Sequence, residues 1–130
     1  MTVPVMVNRC YGGFGLSEAA MDEYRRRRPL AEDVVYYDIE RDDPLMVQIV
    51  RELGARANGP HAQIELERIP AVYARHYSIH EYDGLEHVVL HRNAYRVDTA
   101  RAILRDRHLT PKEKLWRVAA VLGHEHDARA

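Results

Sequence analysis

With 130 residues, 46% of them hydrophobic, the chain has the length of one ordinary domain and enough apolar material for a single sizeable core. A formal net charge of −1 argues against a general nucleic-acid binder, a class with a strong basic excess, and no stretch approaches the roughly 20 apolar residues of a membrane helix. The opening MTVPVMVNRC lacks the layout of a signal peptide and the single Cys10 has no internal disulfide partner, so a cytoplasmic location is expected.

Val3, Val5 and Val7 recur at every second residue and run into a glycine cluster, which predicts a short strand ending in a loop. Pro4 sets that strand at a sheet edge or near its own start. Ser17 has the side chain of a helix N-cap, and Leu16 and Met21 occupy the two positions of a hydrophobic staple, so a helix is expected from Glu18 to about Arg28, ended by Pro29. The β-branched and aromatic segment from Val34 to Ile39 predicts a second strand. Asp43-Pro44 opens a second helix, with Leu45, Met46, Ile49, Val50 and Leu53 along one face and Asn58-Gly59-Pro60 as its stop.

Ile64 and Leu66 alternate with Glu65 and Glu67 in a third strand, and alternation resumes from Tyr73 to Tyr82 before the turn Tyr82-Asp83-Gly84. Leu85 to His91 reads as a helix or as the second arm of a hairpin, and the helix is preferred. Asp98 to Arg107 predicts a further helix. Thr110-Pro111-Lys112-Glu113 is a capping box opening another through Leu115, Trp116, Ala119 and Leu122, with Gly123 as its cap and a frayed tail from His124 to Ala130. The expected fold class is α/β in the α+β sense: a small mixed sheet with helices packed on it and a helical C-terminal extension. Residues 1–92 form the core domain, and residues 93–130 form the extension, packed on the same domain.

The most site-like feature is the turn from Asn8 to Ser17, which joins the first strand to the first helix. Its glycines Gly12, Gly13 and Gly15 let a ligand approach main-chain N–H groups, and the helix N-terminus favours a phosphate or carboxylate there. Asn8, Arg9 and Ser17 add polar contacts, with Arg9 placed for a charge-assisted one. Tyr11 and Phe14 supply flat faces for stacking. The competing structural reading is a tight connection whose aromatics belong to the core, since the pattern matches neither the dinucleotide fingerprint nor the phosphate-loop signature.

Arg41 is a second candidate clamp, beside the cap Asp43. Glu81, Asp83 and Glu86 crowd the later turn, where carboxylates brought together act as acid and base, hold a hard cation or contact ribose hydroxyls, and where Asp and Gly also occur for purely local reasons. His87 and His91 would share a helical face and His76 and His80 a strand face, but no closed metal-ligand set is recognised, and neither metal nor cofactor is expected. Cys10 beside Arg9 reads as a small buried thiol before it reads as a nucleophile. The run Arg25 to Arg28 reads as a solvated helix end before it reads as an anion grip.

Together the stretches Asn8 to Ser17, Asp43-Pro44, Glu52-Leu53-Gly54 and Glu81 to Glu86 resemble a family of small uncharacterised bacteriophage and prophage proteins, over roughly residues 3–92. The resemblance implies a phage-related setting, and hence the host cell cytoplasm, but no catalytic residue. The favoured expectation is a non-catalytic binder of a phosphate-containing, nucleotide-derived small molecule, in keeping with anti-defence sequestration of an immune signal. The set Asn8, Arg9, Tyr11, Gly12, Gly13, Phe14, Gly15, Ser17, Arg41, Glu81, Asp83 and Glu86 would line its site. One alternative is an enzyme acting on a nucleotide or phosphoester through Glu81, Asp83 and Glu86, with no catalytic residue assigned. Another is a protein-interaction inhibitor working through the face of Leu115, Trp116 and Ala119, a face that also suits a homodimer.

Overall fold

The computed structural model describes residues 1–129, with side chains up to Leu122. The elements run β1 (Thr2–Asn8), α1 (Glu18–Arg27), α2 (Pro44–Leu53), β2 (Ile64–Pro70), β3 (Tyr77–Tyr82), β4 (Leu85–Leu90), α3 (Arg92–Arg105) and α4 (Pro111–Arg129). The fold is α+β, as the sequence predicts. Its strands form two antiparallel pairs, β1 with β2 and β3 with β4. Two compact units divide the chain, Met1–Val89 and the helical part from Leu90 onward, and no described helix is long and apolar enough to cross a membrane.

In the first unit β1 is the central element, buried from Val5 to Asn8. On one side it pairs with β2, from Thr2 opposite Pro70 to Asn8 opposite Ile64. On the other side its donors from Pro4 to Asn8 are accounted for one by one. Pro4 has no N–H, the Met6 N–H donates to the Arg41 carbonyl at 2.7 Å, and the Asn8 N–H donates to Glu86 Oε1 at 2.8 Å. A proline is tolerated there because its position faces the unpaired edge, and from Pro4 to Asn8 that edge has no N–H left for a further strand.

That closed edge is the physical reason for one correction: Val34 to Ile39 is not a strand. Only Tyr36–Asp38 is regular, as a 3₁₀ turn, with Ile39 buried in the core and Tyr36 and Tyr37 exposed. The core itself joins Met6 of β1 to Ala20, Met21 and Tyr24 of α1 and to Met46, Val47, Ile49 and Val50 of α2. Both predicted caps are present, since Ser17 Oγ accepts from the Ala20 N–H at 3.1 Å and Asp43 Oδ1 from the Met46 N–H at 3.0 Å. α2 stops at Gly54, whose N–H still bonds the Val50 carbonyl, so Asn58-Gly59-Pro60 is not its terminator.

The arginine run is a set of ties. Arg25 donates to the Val34 carbonyl at 2.8 Å, Arg26 and Arg27 both hold Glu23, Arg27 reaches Glu52 on α2 at 2.5 Å, and Arg28 donates to Tyr24 Oη at 2.9 Å. Hydrogen bonds from Arg26 and then Arg27 lower the Glu23 pKa to about 2, and Arg27 also holds the Glu52 carboxyl below its ordinary value. A folded-state pKa below the unfolded one contributes stability above the unfolded value and loses it as pH falls toward the folded value. Urea midpoints are therefore expected to fall as pH drops from the ordinary carboxylate range toward about 2, and Glu23→Gln should flatten that dependence. An unchanged slope in this variant would contradict the tie.

Leu85 to His91 is also corrected, from helix to strand β4. Asp83 and Gly84 both have positive φ, +51° and +89°, as a two-residue type I′ turn requires, and this turn reverses β3 directly into β4. β3 begins at Tyr77, not Tyr73, because Ala71–Tyr73 forms a 3₁₀ turn.

In the second unit α3 starts at Arg92, earlier than the Asp98 expected, and ends where Asp106 Oδ1 accepts from the His108 N–H at 2.8 Å. The capping box opens α4, with Thr110 Oγ1 accepting from the Glu113 N–H at 3.1 Å. Gly123 lies within α4 and does not cap it, and Ala130 lies outside the described residues.

Candidate functional site

Where β1 ends, its residues turn their side chains to internal work. Asn8 is fully buried; its Nδ2 donates to the carbonyls of Cys10 at 2.8 Å and Gly84 at 2.7 Å, and its Oδ1 accepts from the Gln63 N–H at 2.7 Å. One amide thus ties the glycine-rich turn to the β3–β4 turn and to the start of β2. Glu86, 5% exposed, points inward from β4 and is held by Arg41 through two parallel bonds, Nη1 to Oε1 at 2.6 Å and Nη2 to Oε2 at 2.8 Å. Arg41 Nη1 also donates to the Met6 carbonyl at 3.1 Å, so the pair finishes the β1 edge. The same guanidinium lies 3.6 Å from the centroid of Phe14, covering one face of the ring.

Backbone contact sets the shape of the turn beyond that point. A Cβ on Gly12 would stand 1.9 Å from the His61 carbonyl oxygen, so only glycine lets the two segments meet. The Gly59 N–H donates to the Gly15 carbonyl at 2.8 Å, and Cys10 Sγ lies 3.2 Å from the His61 carbonyl. Gly84 is constrained in the same way, because a Cβ there would meet Gly13 N at 2.6 Å, in addition to its positive φ. Gly12 and Gly84 are therefore needed for packing, whereas a Cβ on Gly13 would meet nothing within 4 Å and one on Gly15 only Gly59 Cα at 3.9 Å.

These contacts leave a cavity of about 290 Å³, lined by Gly12 to Leu16, Tyr36 and Gly59-Pro60-His61. The volume is at the low end of small-molecule sites, about 300–1,000 Å³. Its walls alternate glycine backbone with aromatic faces. Phe14 and Tyr36 are tilted against each other with centroids 6.2 Å apart, and Tyr37 packs edge-on against Tyr36 at 5.4 Å. His61 stands exposed at the rim. No family model, curated protein or solved structure matches the chain.

Of the residues expected at a site, Gly12, Gly13, Phe14 and Gly15 line this cavity. Asn8, Arg41 and Glu86 stand behind it in the internal network. Arg9 is engaged with Glu65 at 3.6 Å, Glu67 at 3.5 Å and the Glu86 carbonyl at 3.2 Å. Ser17 caps α1 and donates to the Arg56 carbonyl at 2.6 Å, and Tyr11 is exposed outside the cavity wall. Glu81 and Asp83 are exposed at the hairpin tip, where Glu81 Oε1 accepts from the Gly84 N–H at 3.1 Å, while Glu86 faces inward. Among the described residues no three His, Cys, Asp or Glu side chains are grouped to hold a metal ion.

Sequence reasoning missed Leu16, Tyr36 and Gly59-Pro60-His61 as lining residues. A signal for the last group was present: Gly54 already ends α2, which leaves the second glycine, Gly59, unexplained by helix termination. Tyr36 carried no such signal.

Proposed function

We propose that this protein captures a small, phosphate-containing, nucleotide-derived ligand in the cavity at the glycine-rich turn and releases it unchanged. The observation that carries this reading is the combination in one cavity of the Gly12–Gly15 backbone with the rings of Phe14 and Tyr36. Backbone amides beside a helix start suit a phosphate, and the rings suit a base. His61 at the rim is the side chain placed to add a polar contact, because Arg9 and Arg41 are committed to carboxylates of the protein.

Capture is preferred to turnover because the three carboxylates considered for catalysis do not converge: Glu86 is locked by Arg41 while Glu81 and Asp83 sit at the hairpin tip. The resemblance to phage proteins gives the reading its setting, sequestration of a nucleotide-derived immune signal in the host cytoplasm. Two of the stretches behind the resemblance, Asn8 to Ser17 and Glu81 to Glu86, are joined by Asn8, whose side chain bonds the Gly84 carbonyl and whose N–H bonds Glu86.

Base stacking on an aromatic side chain contributes about 1–3 kcal/mol. Tyr36→Ala is therefore expected to weaken nucleotide affinity by about fivefold to 150-fold. Tyr11→Ala should leave it unchanged, because that ring lies outside the cavity wall. Calorimetric titration of both variants checks this, and equal affinities for wild type and Tyr36→Ala would remove the ligand from this cavity.

A further inference from the structure

The cavity at the glycine-rich turn is bounded in size, in stacking surface and in charge. At about 290 Å³ it is at the low end of small-molecule sites. Its two rings form one corner and not two platforms, because Phe14 and Tyr36 are inclined at 53° with centroids 6.2 Å apart. The Arg41 guanidinium covers one face of Phe14 at 3.6 Å, and Tyr37 packs edge-on against Tyr36. One flat group is therefore accommodated, and a second would have to leave the wall, since Tyr11 stands outside it.

Among the described residues, none that lines the cavity is Lys, Arg, Asp or Glu. Of the cations nearby along the chain, Arg41 is held by Glu86 through two bonds, Arg9 lies against Glu65 and Glu67, and Arg56, whose carbonyl accepts from Ser17 Oγ, is outside the wall. Carboxylates accompany three parts of the wall. Gly84 abuts the glycine turn so closely that a Cβ there would stand 2.6 Å from Gly13 N, and Glu81 Oε1 accepts the Gly84 N–H at 3.1 Å, with Asp83 exposed beside it. The segment from Pro29 to Glu40 that supplies Tyr36 carries Glu32, Asp33, Asp38 and Glu40 and no Lys or Arg, and Glu18 occupies the first turn of α1. Backbone N–H groups at a helix start suit a single negative charge, but a polyphosphate would meet these carboxylates with no cation on the wall to offset them.

We infer, resting on the capture reading above, that the ligand is a single nucleotide whose phosphate is a phosphodiester with one negative charge, as in a 3′,5′-cyclic mononucleotide. A phosphate monoester carries about −1.5 to −2 at pH 7 and a triphosphate more, whereas closing the phosphate onto the ribose removes the ionisation that adds the second charge. The carboxylates around the wall thus select against polyphosphates, and the one stacking corner selects against dinucleotides.

The test is calorimetric titration of the full-length protein, for each of the four RNA bases, with the nucleoside, its 3′,5′-cyclic monophosphate, its 5′-monophosphate, its 5′-triphosphate and the cyclic dinucleotide, with and without Mg²⁺. For the base that binds best, the cyclic monophosphate is expected to be the tightest ligand, by about tenfold or more over the triphosphate and the dinucleotide. His61→Arg, which puts a permanent cation at the rim, should shift the ratio of the two affinities about fivefold toward the triphosphate, the effect of one further charge pair at about 4 Å in water. A monophosphate, triphosphate or dinucleotide bound as tightly as the cyclic monophosphate, or a ratio unmoved in His61→Arg, overturns the inference while capture of a nucleotide stands. A nucleoside bound as tightly, or no compound bound at all, overturns the capture reading together with it.

Discussion

Glu86→Ala is expected to destabilise the first unit by about 3 kcal/mol, the low end of the cost of breaking a buried ion pair. The low end applies because the Arg41 side chain is 22% accessible and partly rehydrates, whereas Glu86 is 6% accessible. The loss is more than one contact, since Glu86 Oε1 also accepts the Asn8 N–H at the β1 edge. Arg41, released, would no longer be held over Phe14, so the cavity wall should loosen along with the strand edge. Urea unfolding at neutral pH measures the cost. The double variant Arg41→Met with Glu86→Met should lose less than the two single changes added together, because it leaves no charge unpaired. Strict additivity would show that the two side chains act independently, against the geometry described above.

The second large effect is expected at Gly12. A methyl group there meets the His61 carbonyl oxygen at 1.9 Å and the carbonyl carbon at 2.8 Å, and backbone cannot rotate aside as a side chain can. Gly12→Ala must push the two turns apart, at an expected cost of about 2 kcal/mol, typical of overpacking. It should also reduce nucleotide binding more than Gly15→Ala does, since a Cβ on Gly15 comes no nearer than 3.9 Å to Gly59 Cα. Urea midpoints and titrations of the two variants give the comparison. A Gly12→Ala protein as stable as Gly15→Ala would mean that the two turns do not meet as described.

Much of the local structure was legible because its causes are local. The side chains of Ser17 and Asp43 announce their caps, Pro44 and Pro111 mark first helical turns, and valines at every second residue draw β1. Two misreadings have separate causes. Asp83-Gly84 contains the residues a two-residue hairpin needs, and this turn chemistry outweighs the helix-like apolar spacing of Leu85, Val88 and Val89. Val34 to Ile39 has genuine strand composition, but composition cannot reveal that Pro4, the Arg41 carbonyl and Glu86 close the only edge β1 offers.

The candidate site was half legible for the same reason. Glycine spacing marked one wall, Gly12 to Gly15. Its other walls come from residues distant in sequence, and the tie between Arg41 and Glu86 that supports Phe14 is likewise long-range. Charged residues in motifs read first as ligand contacts, and here Arg41 and Glu86 hold each other while Arg9 lies against Glu65, Glu67 and the Glu86 carbonyl.

The most direct test of small-molecule capture is thermal unfolding of the purified protein against mono-, di- and cyclic nucleotides and ADP-ribose derivatives, with chromatography of each mixture afterwards. At least one compound, at about a hundredfold excess over its dissociation constant, is expected to stabilise the fold by about 2.7 kcal/mol and to be recovered unchanged. A converted compound would contradict capture in favour of catalysis, and no stabilisation by any member of the panel would contradict the assignment of the cavity to a nucleotide-derived ligand.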